Sequence, residues 1–549
     1  MSKGFSAFIG NQQVQINAFF EGKKYDSVFL ETDSVDILLE GIVLNKKDLV
    51  QKNSAPDFED FLLKSYEKNN WRVIQQLEGE FRGCIWDKNE NKILIFTNPT
   101  STQRVFYSKM NDQIFIDSDL VRLADTIKSK GISIHPDISS FYELLTIGNL
   151  LENKTPIQNI YKVEDSHFLE IDLNTLFVKE IEYFNISEIP YYNKSKEKAV
   201  DDLHEVFTEA VKMEYEKDIE LGTSHLALLS GGLDSRMAMF YAIKNNLKPD
   251  LAVCFSQSGY LDEKISRKIA SDYNINYKFI PLDKGSFLKK IDELTRLSEG
   301  TSLYTGGIHV SYALDQLQFD NFSIFHGGQI GDGILGGFNL EPNKKTPSLK
   351  RIIVNENFLP KIQSELDNVL KKYEKEEIFL LKNLAYNRTV LGAQVMHQKG
   401  YLISPFMTKD FIKLSISFPE DWKYKQKLYL EWLSKHCKDA EKYIWEKTLT
   451  KPGAQWKMRL GEKFLKNGYL FFYKKILKSP EKASMYPYQY YYDSSPEIQQ
   501  YYQEYFDENI DRLENYKELR DEMTELFSSK VFYHKSQAIN ILSIFKLYF

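Results

Sequence analysis

Near the middle of the chain an apolar strand runs straight into two adjacent glycines and then into a helix: HLALLSGGLDSRMAMFYAIKNN, beginning at His225. No other segment constrains the fold as strongly. A buried strand followed at once by a helix opens a parallel α/β unit. Gly231 and Gly232 let the backbone turn tightly and bring N–H groups close to a ligand. The following helix adds unpaired N–H groups and the positive end of its dipole. Ser230 and Ser235 add hydroxyls. Residues Ser230, Gly231, Gly232, Leu233, Asp234 and Ser235 thus form an anion cradle suited to phosphate or pyrophosphate. Asp234 is the odd member, because a carboxylate repels phosphate; a bridging Mg²⁺ resolves the conflict by joining carboxylate to phosphate oxygens. The patterns GxxxxGK[ST] and GxGxxG are absent from this loop. A glycine turn without a ligand is the bland alternative, disfavoured by six suitable positions in strand–loop–helix context.

The surrounding rhythm supports a parallel sheet. A helix is predicted over Val200–Tyr215, then strand His225–Leu229, helix Ser235–Asn246, strand Leu251–Phe255, helix Asp262–Tyr273, strand Tyr277–Leu282 and helix Ser286–Ser298. Strands alternating with helices build sheets covered on both faces. A later strand, Phe322–His326, enters a loop with six glycines among the eleven residues 327–337. Such a loop must approach something closely, and Asp332 sits in its middle. Ligands of parallel α/β sheets collect at the carboxyl ends of strands. Asp234 and Asp332 both follow strands, so both are candidate ligands of one Mg²⁺; the alternative for Asp332 is an ordinary turn aspartate.

The first ~190 residues read as strands and turns with little helix, for example Ser27–Leu30 and Ile93–Thr97, with one helical pattern at Phe58–Leu77. This is an α+β region rich in antiparallel sheet. The stretch Glu188–Lys198, with Pro190, is a plausible linker. Beyond about residue 345 the patterns are mostly helical, and the tyrosine-rich Tyr486–Tyr505 is read as packing or a partner surface. The expected domains are residues 1–190 and 195–549. No repeat and no low-complexity tract occurs.

Composition excludes several classes. The 549 residues carry a net charge of -6 with Lys and Arg dispersed, which argues against a nucleic-acid partner. No apolar run reaches the roughly 18 residues of a membrane span, and the N-terminus turns polar too early for a secretory leader. The cysteines Cys84, Cys254 and Cys437 form no CxxC pair, and the nine histidines show no HxxxH or HExxH spacing, so no disulfide framework or zinc cluster is implied. A cytoplasmic protein is expected, without nucleic-acid or membrane partners. Oligomeric state is not legible in the residues; a homodimer stays open.

The Ser230–Ser235 loop matches the SGGxDS loop of the N-type ATP pyrophosphatases. Together with the second loop and the domain order, the chain resembles the asparagine synthetase family, which pairs SGGxDS with a later SGEGxDExFGG. The resemblance implies an Ntn-hydrolase-like α+β sandwich followed by a parallel-sheet pyrophosphatase-loop domain, adenine nucleotide α-hydrolase-like, with a mostly helical extension. It implies ATP as cosubstrate, Mg²⁺ on Asp234 and Asp332, and ATP phosphates held by Ser230–Ser235. Phe255 and Ser256 would lie near adenine, and Gly331 belongs to the nucleotide-binding set. Asp262 and Glu263 open the next helix as an acidic pair does in family members. Ser404-Pro405-Phe406-Met407 resembles RxPFLD without its Arg and Asp. Lys427-Leu428-Tyr429-Leu430 resembles the KxxLR helix start, with Glu431 where Arg is usual, and Trp445-Glu446-Lys447 resembles RxK. Carried over, Lys447 stabilises charge at the α-phosphate or in the tetrahedral intermediate, and Lys427 contacts phosphates. The alternative for either lysine is a solvated surface charge. Thr448–Trp456 would be a lid. Gln329 and Gly333 replace two acidic residues of the family loop, which puts aspartate as substrate in doubt.

Residues 1–190 resemble the family's glutaminase domain: Leu77-Glu78-Gly79-Glu80-Phe81-Arg82-Gly83-Cys84-Ile85-Trp86-Asp87 is similar to LxGxFAFxxWD, Gly4–Ile9 to the opening CGIxGxI strand and Gly41–Asn45 to GEIYN. A working glutaminase needs a cysteine with its own free α-amine. Here Lys3 stands in that place and Ser2 is one position off. Glu40 and Ile42, and Thr97-Asn98, replace the glutamine-clamping groups, and no RGPD segment is present. Several relatives share this loss, including β-lactam synthetases and lasso peptide cyclases. The expected activity is adenylation of a carboxylate with release of pyrophosphate and transfer to an amine or ammonia, without glutamine hydrolysis. The alternatives are a non-catalytic nucleotide-binding member of the fold, or a different adenylating enzyme with the same loop.

Overall fold

The computed structural model describes residues 3–10, 13–20, 25–339, 347–453 and 455–549; Ser2 and residue 454 of the expected lid lie outside them. The N-terminal part is a sandwich of two antiparallel sheets. One has five strands in the order Gln13–Ala18, Phe5–Gly10, Gln113–Asp117, Phe106–Met110, Tyr161–Lys162. The other has six, in the order Phe177–Glu182, His167–Asp172, Lys92–Thr97, Gly79–Asp87, Val35–Val43, Val28–Leu30. Side chains alternate across a strand, and here both faces are apolar. Ile93 and Ile95 face the other sheet, packing with Phe5, Ile114 and Ile116. Leu94 and Phe96 face a layer of helices with Phe58, Phe61 and Leu62.

That region holds more helix than its sequence pattern suggests: Lys46–Lys52, Phe58–Asn69, Arg72–Gln76, Leu120–Ser129 and Ile138–Ile147. The helix expected over Phe58–Leu77 is broken, because Asn70 adopts a left-handed φ of 55° that ends the first segment. Asn tolerates positive φ better than most residues.

The helix Lys196–Leu221 leads into the second part, capped by Ser195, whose Oγ accepts from Lys198 N at 3.3 Å, and stopped at Gly222 with φ 70°. A five-stranded parallel sheet follows, in the order Asn276–Pro281, Leu251–Ser256, Leu226–Leu228, Ile324–His326, Tyr401–Ile403. The chain builds outward from Leu226–Leu228 to one side, then crosses back to place Ile324–His326 on the other. The junction of those two strands is the topological switch point where α/β sheets bind ligands. The edge strand Tyr401–Ile403 was not anticipated; three residues are too few to show a period. The helix expected over Ser286–Ser298 splits into a 3₁₀ stretch Asp283–Lys289, where Lys284 and Gly285 both have positive φ, and the helix Ile291–Ser298.

The C-terminal region is helical; several tyrosines of the stretch Tyr486–Tyr505 are core, while Tyr486 and Tyr490 are exposed. Tyr491 and Tyr502 are buried, with the Tyr502 hydroxyl 2.6 Å from that of Tyr304 and Tyr491 OH donating to Gln257 Oε1 at 2.6 Å. The sandwich and the parallel sheet domain are cross-linked by polar contacts. Lys409 Nζ donates to Leu77 O at 2.7 Å, and Arg104 Nη1 to Thr301 Oγ1 at 2.7 Å. No described helix is long and apolar enough to cross a membrane.

Candidate active site

Strand Leu226–Leu228 delivers the chain to Ser230, and helix Asp234–Lys244 starts four residues on. The loop between is folded on itself. Ser230 N donates to Ser235 Oγ at 3.1 Å, and Gly232 N donates to Ser230 Oγ at 3.1 Å. Gly231 is turned away, its N–H donating to Asp262 Oδ1 at 2.7 Å. Asp262, the first of the acidic pair, is thus a buried anchor of the loop.

The second glycine loop lies against the first. A Cβ on Gly328 would stand 2.3 Å from both Asp234 C and Ser235 N, so only glycine permits the approach. Asp332 N donates to Asp234 Oδ2 at 2.8 Å, and Tyr429 OH donates to Oδ1 at 2.7 Å. Loss of water contact, and then the charge of Asp332, push the Asp234 carboxyl well above the usual carboxylate range, with Lys447 opposing. Asp332 itself is exposed; Gln426 Nε2 lies 3.4 Å from its Oδ2.

Between the loops opens a cavity of about 510 Å³ whose walls include Ser230, Gly232, Leu233, Asp234, Ser235, Phe255, Asp332 and Lys447. Eight of the residues singled out in the sequence therefore meet in one place. Gly231, Ser256, Gly331 and Lys427 are not among its lining residues. Ser256 is fully buried, its hydroxyl donating to Gln257 O at 3.2 Å. Gly331 packs on the Phe406 ring, which a Cβ would meet at 2.8 Å. Lys427 begins the helix Lys427–His436 with its ammonium 5.6 Å from the Tyr424 ring. Two positions along a helix point nearly opposite ways, so Tyr429, not Lys427, reaches Asp234.

Sequence reasoning did not assign roles to Tyr429, Glu446, Met485 or Arg236. Glu446 and Met485 line the cavity, and Glu446 is bound by Tyr260 OH and by Lys466 Nζ, the latter at 2.6 Å. Arg236 is fully buried. Its guanidinium donates to the carbonyls of Gly231, Ala440, Tyr443 and Ile444 at 3.1, 3.0, 3.2 and 2.8 Å. Glu446 N adds a bond to Gly231 O at 3.2 Å. The segment carrying Lys447 is thereby fastened to the anion loop. An arginine directly after the loop serine was the available signal.

A double antiparallel sandwich ahead of a parallel sheet, with two glycine loops framing its switch point, defines an amidotransferase-type sandwich joined to a synthetase-type α/β domain. Residues 32–183 match the glutamine amidotransferase domain family, and residues 202–488, more than half the chain, match the asparagine synthase family. The chain belongs to the asparagine synthase family. It is similar to the glutamine-hydrolyzing asparagine synthetase 2 of Bacillus subtilis, 23% identical over 415 residues, covering 69% of this chain and 53% of that protein. It thus spans about half the length of that relative. A putative glutamine-hydrolyzing asparagine synthetase 2 of Methanocaldococcus jannaschii is 24% identical over 373 residues, covering 64% of this chain and 69% of the relative. Among solved structures, an allosteric regulatory enzyme of purine biosynthesis aligns at a TM-score of 0.22 with 10% identity, over 50% of this chain and 59% of that one.

Proposed function

We propose that this chain is an ATP-dependent carbon–nitrogen ligase that forms an acyl-adenylate and passes the acyl group to a nitrogen nucleophile. The observation that carries the reading is the convergence of Asp234, Asp332 and Lys447 on one cavity beside the Ser230–Ser235 loop. The donor set suits a hard divalent cation such as Mg²⁺: two carboxylates face one space, and burial, then the charge of Asp332, raises Asp234, a cost that such an ion would offset. When bound there by Asp234 and Asp332, Mg²⁺ supplies charge neutralisation for the phosphates.

The rest of the chemistry falls to the chain's own groups. The hydroxyls of Ser230 and Ser235 and the N–H of Gly232 exchange their internal hydrogen bonds for phosphate oxygens. A substrate carboxylate oxygen attacks the α-phosphorus of ATP, and pyrophosphate leaves. The Lys447 ammonium stabilises charge developing at the α-phosphate. The nitrogen nucleophile then adds to the acyl carbon, a proton is lost from nitrogen, and AMP leaves. Phe255 offers an apolar wall for adenine. Lys427 would reach phosphates only by swinging away from Tyr424.

Residues 1–190 are proposed to act as scaffold and residues 195–549 to carry the chemistry, with no glutamine hydrolysis. Support comes from Arg82, which fills the space beneath the first strand. It donates to Glu40 Oε2 at 2.6 Å and to the carbonyls of Arg104, Ser118 and Lys3 at 2.8, 2.9 and 3.3 Å. Cys84 is fully buried, and burial pushes its thiol up, away from nucleophilic thiolate.

The test is ATP–pyrophosphate exchange across a panel of carboxylates. Exchange with at least one acid, lost in Asp332→Asn, is expected, with no glutamate released from glutamine. A folded protein that yields neither AMP nor pyrophosphate with any acid would overturn the reading.

A further inference from the structure

On the helix-covered face of the parallel sheet, apart from the cavity described above, lies a second cluster of ligating groups. Asp218 sits near the end of helix Lys196–Leu221, His225 just ahead of strand Leu226–Leu228, and His326 at the end of strand Ile324–His326. Asp218 Oδ2 is 2.9 Å from His225 Nδ1 and 2.6 Å from His326 Nε2, and the ligand atoms of all three lie within 4.8 Å of one another. No short spacing pattern announces them, because the sheet topology assembles them from three elements.

We propose that Asp218, His225 and His326 bind one first-row divalent cation, zinc foremost, at a site separate from the nucleotide cavity. Two imidazoles and a carboxylate on converging atoms are a zinc-type donor set. Ligating histidines usually direct their second ring nitrogen to a carboxylate, and that partner is present. Glu214, one helical turn before Asp218, faces His326 Nδ1 at 3.8 Å. Glu214 and His326 are buried, and neither Glu214 oxygen nor His326 Nδ1 has a hydrogen-bond partner. Thr223 Oγ1 holds the other Asp218 oxygen at 3.1 Å, and the Tyr215 ring stacks on His326 at 3.7 Å between centroids.

Charge points the same way. Two carboxylates buried together are stabilised by positive charge nearby, and a divalent ion supplies it without charging either ring. The His225 side chain is 13% exposed, which places one of the three ligands at the solvent boundary. Ligand atoms around tetrahedral zinc stand about 3.3 Å apart, so His225 and His326 need to open only slightly from their present hydrogen bonds.

The test uses the full chain, stripped with a chelator and titrated with Co²⁺ and then Zn²⁺. One equivalent of Co²⁺ should give the intense visible absorption of four-coordinate cobalt, displaced by Zn²⁺. His225→Ala, at the half-buried ligand, should weaken binding at least 100-fold, and Glu214→Gln about 10- to 100-fold. Asp332→Asn should leave binding unchanged. Circular dichroism establishes that each variant is folded. Failure of Co²⁺ to bind stoichiometrically would overturn the assignment. So would binding that survives His225→Ala but is lost in Asp332→Asn.

Discussion

Asp234 has both carboxylate oxygens engaged, one by a tyrosine hydroxyl and one by a backbone N–H. Tyr429→Phe removes the first bond without altering shape. With a hydrogen bond to a charged group worth roughly 1.5–3 kcal/mol, the pyrophosphate exchange rate should fall by tenfold or more while the melting temperature barely moves; an unchanged rate would deny Tyr429 a part in holding Asp234. A second residue governs stability. Burial pushes the imidazole of His309 down to about 4, with Nδ1 3.1 Å from Tyr488 OH. In the unfolded chain the ring titrates near 6.5. The folded value is the lower one, so the unfolded state binds more protons between the two. The contribution is intact above about pH 6.5 and is lost as pH falls toward about 4, roughly 3 kcal/mol in all. Melting curves between pH 7 and pH 4.5 should show a shallower decline for His309→Gln than for the wild type.

Among the elements, the glycine loops carry the sharpest contrast. Gly328→Ala forces a methyl into the backbone of Asp234 and Ser235, so it should lower the melting temperature and abolish nucleotide-dependent exchange. Gly468 lies in helix Asn467–Phe471 with nothing within 4 Å of its would-be Cβ. Gly468→Ala should raise stability by up to about 1 kcal/mol, read from the same melting curves. Several central strands and helices were legible because apolar runs with glycine breaks fix them to within a residue or two: Leu251–Ser256 against a predicted Leu251–Phe255, and Leu261–Asp272 against Asp262–Tyr273; the helix expected over Val200–Tyr215 runs longer, Lys196–Leu221. What escaped was set by single backbone angles, as at Asn70 and Gly285, or by partners distant in sequence, as for Tyr401–Ile403. The loop serines were legible from local context and the acidic pair from the family resemblance, whereas the partner of Tyr429 and most partners of Arg236 lie about 200 residues away.

The molecule as a whole is expected to unfold as one body. A single buried cluster runs from Phe58, Phe81 and Phe96 of the sandwich region to Phe207, Met237 and Trp432 of the synthetase part, and Lys409 and Arg104 stitch the boundary with hydrogen bonds. Tryptophan fluorescence and limited proteolysis across a urea series should therefore report coincident midpoints; two separated transitions would show that the halves stand alone. Arg236 has a consequence at this scale. A cation with no carboxylate partner among the described residues, gripping four carbonyls, welds the floor of the pocket to the wall that bears Lys447. Neither can yield without exposing a naked charge to the protein interior. Substrate entry is therefore expected to displace walls that Arg236 does not hold, the second glycine loop and Met485 among them.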